Sequence, residues 1–202
     1  MKTKDKIKKV SRELFNEKGF KNVTLREVAK ELSISYGNVT YHFKTKEELI
    51  VSLFEDMQKE TEAIQGTMNA NNLLEGILNG PKITFDISMK YAFLYVDFIE
   101  IKRSYPDLVL QMEQTIKTRK VVYLHILTQL QLEGTLRQDL SPNDLDYLMD
   151  LSGAIRTFFF INLNPTDFSD PDLKDRYVNY INKLLFPYLT KEGIVKYESC
   201  ID

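Results

Sequence analysis

The chain has 202 residues, 43% of them hydrophobic and 28% charged, with a formal net charge of −2. That is long enough for a sizeable core and too apolar for a disordered chain. A single cysteine, Cys200, excludes an intramolecular disulfide framework and a paired-cysteine metal site, and fits a reducing cytoplasm.

The charge is unevenly spread. Residues 1–50 carry 12 Lys and Arg against 7 Asp and Glu, a balance of +5, whereas residues 51–202 carry 15 against 22, a balance of −7. A basic end on an acidic body is expected where one part meets phosphate and the rest does not. The Lys-rich start has no apolar run behind it, so no signal peptide is expected. The most apolar stretch, residues 91–101, is broken by Asp97 and Glu100 and is too short to span a bilayer.

In chain order, residues 4–18 place Ile7, Val10, Leu14 and Phe15 on one helical face, and Gly19 ends that helix. Thr24 followed by Glu27 is a capping box that opens a second helix, with Val28, Ala29 and Leu32 at helical spacing. Residues 33–35, Ser-Ile-Ser, interrupt the pattern, and Ser35 can cap a third helix from Tyr36 to about Phe43. In that helix Val39 and Phe43 face inward, while Asn38, Thr40, Tyr41 and His42 offer donors and acceptors. Thr45 with Glu48 reads as a second capping box. Two short helices joined by a tight turn form a helix-turn-helix, whose second helix would lie in a DNA major groove. The same spacing also suits a helical corner with no ligand.

Beyond it the sequence predicts an all-α body. A helix from 46 to about 65 carries Leu49, Ile50, Leu53, Phe54 and Met57 inward, with Gly66 at a junction. Further helices are expected at 71–79, 82–102, 106–132, 142–163 and 171–190. Gly80-Pro81 and Tyr105-Pro106 punctuate them, and Ser141-Pro142 and Asp170-Pro171 start them. Cys200 then falls on a loose tail. The expected division is a helix-turn-helix domain over 1–48 and a helical body over 49–202.

The first 50 residues resemble the DNA-binding domain of the tetracycline-repressor (TetR) family of bacterial regulators. The matching residues are Ile7, the run from Leu14 to Phe20, Thr24, Arg26 to Ala29, Ser33 to Val39, His42-Phe43 and Lys46 to Leu49. The resemblance implies a homodimer, a double-stranded DNA operator and a small-molecule effector bound in the helical body, which makes 1–48 the DNA-binding domain and 49–202 the effector-binding and dimerisation domain. Two positions depart from the family pattern: Ser33 stands where the turn usually has Gly, and Thr40 where the recognition helix usually has Tyr, with Tyr41 one position later. A Ser forced to positive φ costs on the order of 1 kcal/mol.

The candidate DNA contacts are Thr24, Arg26, Ser35, Tyr36, Asn38, Thr40, Tyr41, His42 and Lys46. Arg and Asn match guanine and adenine edges. Lys46, at a helix start, suits a phosphate. For the effector the candidates are Tyr91, Tyr95, Phe98, Tyr123 and Phe159, aromatic residues that individually read as core and together suggest polar handles in an apolar wall. Stripes of Tyr147, Leu148, Leu151, Ile155 and Phe159, and of Tyr177, Tyr180, Ile181, Leu184 and Leu185, on the last two long helices suit either a dimer interface or an intramolecular core.

Two histidines and the single cysteine supply no ligand set, the Asp clusters lack the calcium-loop pattern, and no nucleotide or hydrolase motif is present. No metal, cofactor or catalytic residue is therefore expected. The function expected is a ligand-responsive transcriptional regulator, a repressor released from a near-palindromic operator. The alternative is a helical small-molecule-binding protein or protein–protein adaptor that does not bind DNA.

Overall fold

Seven-residue helices are marginal on their own, and the amino-terminal part of this protein contains two, each fixed by side chains at its ends. The computed structural model describes residues 2–65, 72–163, 167 and 169–201. Among them the chain forms eleven α-helices and one isolated β-bridge, Leu136 to Leu189. They pack as two compact units: residues up to Ala63 with Ile87–Met112, and Ile64–Asp86 with Glu113 onward.

The first unit begins with α1 (Thr3–Lys18), a 3-10 turn (Phe20–Asn22), α2 (Leu25–Glu31), α3 (Tyr36–His42) and α4 (Lys46–Gln65). Gly19 ends α1 at φ 80°, with its N–H on the Phe15 carbonyl at 3.0 Å. Ile7, Phe15, Val28, Val39, Phe43, Leu49 and Leu53 are buried, which is the core the apolar spacing predicts. Gly66, the expected junction, lies outside the described residues.

The rest of this unit departs from the single helix expected over 82–102. The chain instead forms the last turn of α5 (Leu73–Lys90), a four-residue α6 (Phe93–Val96) and α7 (Phe98–Ser104). Polar side chains tie both breaks to the amino-terminal helices: Asn16 satisfies backbone groups at the first, and Asp97, at the second, is held by the Phe20 N–H. Asn16 of α1 donates to the Lys90 carbonyl (3.0 Å) and accepts from the Phe93 N–H (2.9 Å). Asp97 accepts from the Phe20 N–H at 2.7 Å. Phe15 packs against both Phe20 and Phe93, with ring centroids 5.4 and 5.2 Å away.

Gly80-Pro81 does not separate two helices, because both residues lie inside α5. A proline there costs about 3 kcal/mol in lost hydrogen bonding and ring clash. Burial of Leu74, Leu78 and Phe85 opposes that cost. In the affected turns the buried Asn182 amide donates to the Leu78 carbonyl (3.0 Å) and the Thr84 hydroxyl to the Gly80 carbonyl (2.9 Å).

The second unit also contains α8 (Pro106–Leu132) from Glu113 onward, α9 (Pro142–Ile161), α10 (Leu173–Lys183), a 3-10 turn (Phe186–Tyr188) and α11 (Lys191–Ile201). Its core is a leucine cluster that includes Leu78, Leu127, Leu130, Leu145 and Leu185. Beside it Phe85, Phe159 and Phe160 surround Tyr177 at centroid distances of 5.0–5.4 Å. Ser141 starts α9 ahead of Pro142, as that pair predicts, and the structure adds a full capping box to Asp144. Asp170 does not cap a helix at Pro171. Its carboxylate takes the Asp172 N–H (2.9 Å) and Arg176 (2.8 Å), and α10 starts two residues later than Pro171.

Two further expectations change. The helix expected over 171–190 ends at Lys183, and Cys200 stands on α11, half-buried against the leucine cluster, not on a loose tail. In the two apolar stripes, Leu148, Phe159, Tyr177, Ile181 and Leu185 are buried within this unit, so they form its own core. The large apolar residues left exposed on α9 and α10 are Tyr147, Phe158, Ile161 and Tyr180. No helix among the described residues is long and apolar enough to cross a membrane.

Candidate nucleic-acid interface

The surface is built from the ends of α2 and α3. The Thr24 hydroxyl accepts the Glu27 N–H (3.2 Å), and the Glu27 carboxylate accepts the Thr24 N–H (2.8 Å) and hydroxyl (3.1 Å). These bonds, the backbone one above all, hold the Glu27 carboxyl below its ordinary range. The Ser35 hydroxyl accepts the Asn38 N–H at 3.1 Å and fixes the start of α3.

Between the helices, Ser33 adopts φ 54°, the left-handed conformation that favours glycine. The Ser33 N–H bonds to the Lys30 carbonyl and the Ile34 N–H to the Ala29 carbonyl, both at 3.0 Å. That pair of bonds is the Schellman motif, which closes α2 and turns the chain into α3. The family's usual glycine therefore has a physical reason here, and Ser33 carries its strain.

Thr24, Arg26, Ser35, Tyr36, Asn38 and Tyr41 are all exposed. Tyr41, at 83% exposure, is the most open of the unit's large hydrophobic side chains among the described residues. The Arg26 guanidinium lies over the Tyr36 ring, 5.0 Å from its centroid. This cation–π contact joins the start of α2 to the start of α3. Nothing in the helical period announces it, because the two residues meet across the turn.

Thr40, His42 and Lys46 are half-buried. The Thr40 hydroxyl donates to the Tyr36 and Gly37 carbonyls, both at 3.2 Å. With that proton engaged, Thr40 offers only lone pairs outward. His42 meets Tyr41 edge to face at 5.1 Å.

The Lys46 ammonium turns inward. It donates to the Phe20 carbonyl and sits 3.8 Å from the Phe20 ring centroid. Burial pulls its pKa below the usual lysine value, against the opposing charges of Asp97, Glu27 and Glu100. The second capping box is only half formed. Thr45 accepts the Glu48 N–H (3.1 Å), but the Glu48 carboxylate takes the N–H of Lys44 (2.8 Å).

The aromatic effector candidates divide between the units. Tyr91, Tyr95 and Phe98 belong to the first. Tyr91 is fully buried, its hydroxyl donating to Glu60 (2.9 Å) and its ring under Arg12 (5.2 Å); burial, then Glu60, raises its pKa. Tyr95 and Phe98 are half-buried, with the Tyr95 hydroxyl 3.3 Å from that of Ser88. Tyr123 and Phe159 belong to the second unit, the first half-buried and the second in the aromatic cluster. Among the described residues no group of three or more His, Cys, Asp or Glu could hold a metal. The Asp clusters serve as caps and ion-pair partners: Asp144 with Ser141, and Asp146 with Lys120.

Capped short helices, an exposed second helix and a basic surround define a helix-turn-helix DNA-binding protein. Comparison with known proteins makes this specific. The description "Bacterial regulatory proteins, tetR family" matches residues 7–53, and "Bacterial transcriptional repressor", of the TetR type, matches residues 52–197. The chain belongs to the TetR family of transcriptional regulators, which is not a family of enzymes.

Among its relatives, the HTH-type transcriptional regulator QacR of Staphylococcus aureus is 45% identical over 53 residues, 26% of this chain and 28% of that protein. The biofilm operon icaADBC HTH-type negative transcriptional regulator IcaR of Staphylococcus aureus is 30% identical over 112 residues, 55% of this chain and 54% of that one. Neither relative is matched over two thirds of its length. A TetR-family transcriptional regulator from Marinobacter aquaeolei has the same fold. It superposes with a TM-score of 0.80 at 24% identity over 99% of both chains.

Proposed function

We propose that this regulator is a homodimeric, ligand-responsive repressor. Residues 1–48 bind a near-palindromic operator, and residues 49–202 bind a small-molecule effector and dimerise. The observation that carries the DNA contacts is the capped, exposed α3 with Arg26 stacked on Tyr36. Arg26 and Asn38 read base edges, while Thr24, Ser35, Tyr36, Tyr41 and His42 position the helix on phosphate and sugar. Thr40 accepts from the duplex or from water. Lys46 reaches a phosphate by giving up the Phe20 carbonyl.

The description matching residues 52–197 supports repression. In the dimer, α9 and α10 present Tyr147, Phe158, Ile161 and Tyr180 to the second copy, and an exposed apolar set of this kind is what an interface covers. An effector in the helical body changes the spacing of the two α3 helices. Effector then weakens DNA binding, and DNA weakens effector binding by the same factor.

The test is a set of variants on a selected operator. Arg26→Ala and Asn38→Ala each cost about 1–3 kcal/mol on the cognate site and relax specificity at one position per half-site. Lys46→Ala weakens all sequences by a similar factor and lowers the salt slope. Uniform weakening by Arg26→Ala, or a loss of discrimination with Lys46→Ala, would refute the assignments.

A further inference from the structure

Arg119 stands apart from the other charged groups of the second unit. Its Nη2 atom is buried and has no hydrogen-bond partner among the described residues. Its neighbour Lys120 shows the ordinary alternative, with its ammonium held by Asp146 (2.9 Å) and Asp150 (2.6 Å). A buried lysine can shed its proton; a guanidinium cannot. Arg119 is half-buried as a residue, but at Nη2 no water reaches the N–H, and a buried donor left without an acceptor is unfavourable.

The position of the group points the same way. Arg119 and Tyr123 are four residues apart on α8 and share a face. The Tyr123 hydroxyl lies 3.5 Å from where a Cβ on Gly80 would stand, so this face is turned toward α5. Tyr123 is half-buried and has no hydrogen-bond partner among the described residues. A guanidinium N–H and a phenol one helical turn apart are thus both without an acceptor among the described residues.

We propose that Arg119 is the anchor for the effector, and that the effector is a small organic monocarboxylate. This rests on the ligand-responsive reading above and gives it a chemical class. The planar fork of a guanidinium matches a carboxylate with two parallel N–H···O bonds. One negative charge balances the one guanidinium. A phosphate dianion would lack a second cation, since Lys120 is already committed to two carboxylates. The Tyr123 hydroxyl donates to the same carboxylate or to a water beside it.

The experiment uses the full chain and matched probes: benzoate, phenylacetate and octanoate against benzamide, phenylacetamide and octanamide. Thermal shift and titration calorimetry are run on the wild type, Arg119→Met and Arg119→Lys. At least one acid raises the wild-type Tm more than its amide does. Arg119→Met loses that preference, with acid affinity falling at least about tenfold. Arg119→Lys keeps the charge but loses the fork, and binds the acid more weakly than the wild type.

A wild type that prefers no acid over its amide overturns the proposal, as does either variant binding the acid as tightly as the wild type. Operator affinity, measured in parallel, separates this from the broader reading. Acids that bind as stated but leave operator affinity unchanged keep the anchor and refute ligand-responsive repression. Operator release by neutral ligands alone refutes the anchor and keeps the repressor.

Discussion

The two units are held together by different means. In the first, two seven-residue helices are fixed by Thr24, Glu27 and Ser35, whose bonds are local and lie at the surface. Short helices so capped keep an outer face free for polar groups. In the second, longer helices are joined by leucine and aromatic packing. There a backbone can be forced into an unfavourable shape by what it packs against. Local chemistry sets up the reading head, and tertiary packing shapes the body.

Gly193 is the sharpest test of the second half of that contrast. A Cβ added there would stand 2.1 Å from the Thr135 carbonyl oxygen, so α11 approaches that loop backbone to backbone. Gly193→Ala is expected to cost roughly 1–3 kcal/mol, with α11 shifted outward. Urea unfolding measures it; an unchanged midpoint would mean that α11 does not close on that loop.

Ser33 tests the first half, with a smaller effect of opposite sign. Ser33→Gly relieves a left-handed non-glycine residue, and the greater freedom of glycine in the unfolded chain offsets part of the gain. A stabilisation of up to about 1 kcal/mol is expected, whereas Ser33→Val should destabilise.

The smallest expected effect is a pH dependence at Glu27. Its folded pKa lies below the usual 4.5, chiefly through the bond from the Thr24 backbone. The capping carboxylate therefore stabilises the fold above pH 4.5 and loses that contribution as pH falls through the lower folded value. The Tm difference between wild type and Glu27→Gln should be constant near neutrality and shrink in acid. A difference that holds through the acid range would remove the carboxylate from the account.

This contrast also explains what was legible in the sequence. The capping box at Thr24, the cap at Ser35, the end of α1 at Gly19 and the cap at Ser141 before Pro142 are signals within four residues, and all four stand as read. Two local signals fail for local reasons, since Glu48 turns to the Lys44 N–H and Asp170 to the Asp172 N–H and Arg176, and the larger errors lie where distant residues intervene. Pro81 reads as a break, yet burial of α5 and the bond from Asn182 hold the helix through it. The apolar run at 82–102 reads as one helix, yet Asn16, more than seventy residues away, holds the break at Lys90 to Phe93. The segment at Cys200 reads as a loose tail, yet α11 packs on the leucine cluster and brings Gly193 against the Thr135 carbonyl of another loop. At the DNA surface the residue types were visible, but the Arg26–Tyr36 stack and the inward turn of Lys46 depend on contacts made across the turn.

The central claim is that two copies of α3 read one operator. Selection of bound DNA from a random pool by the full-length protein tests it most directly. The account predicts a two-fold symmetric consensus with half-sites about 10–10.5 base pairs apart, or a multiple of that spacing. Recovery of an asymmetric or single half-site consensus, or of no consensus at all, would contradict it.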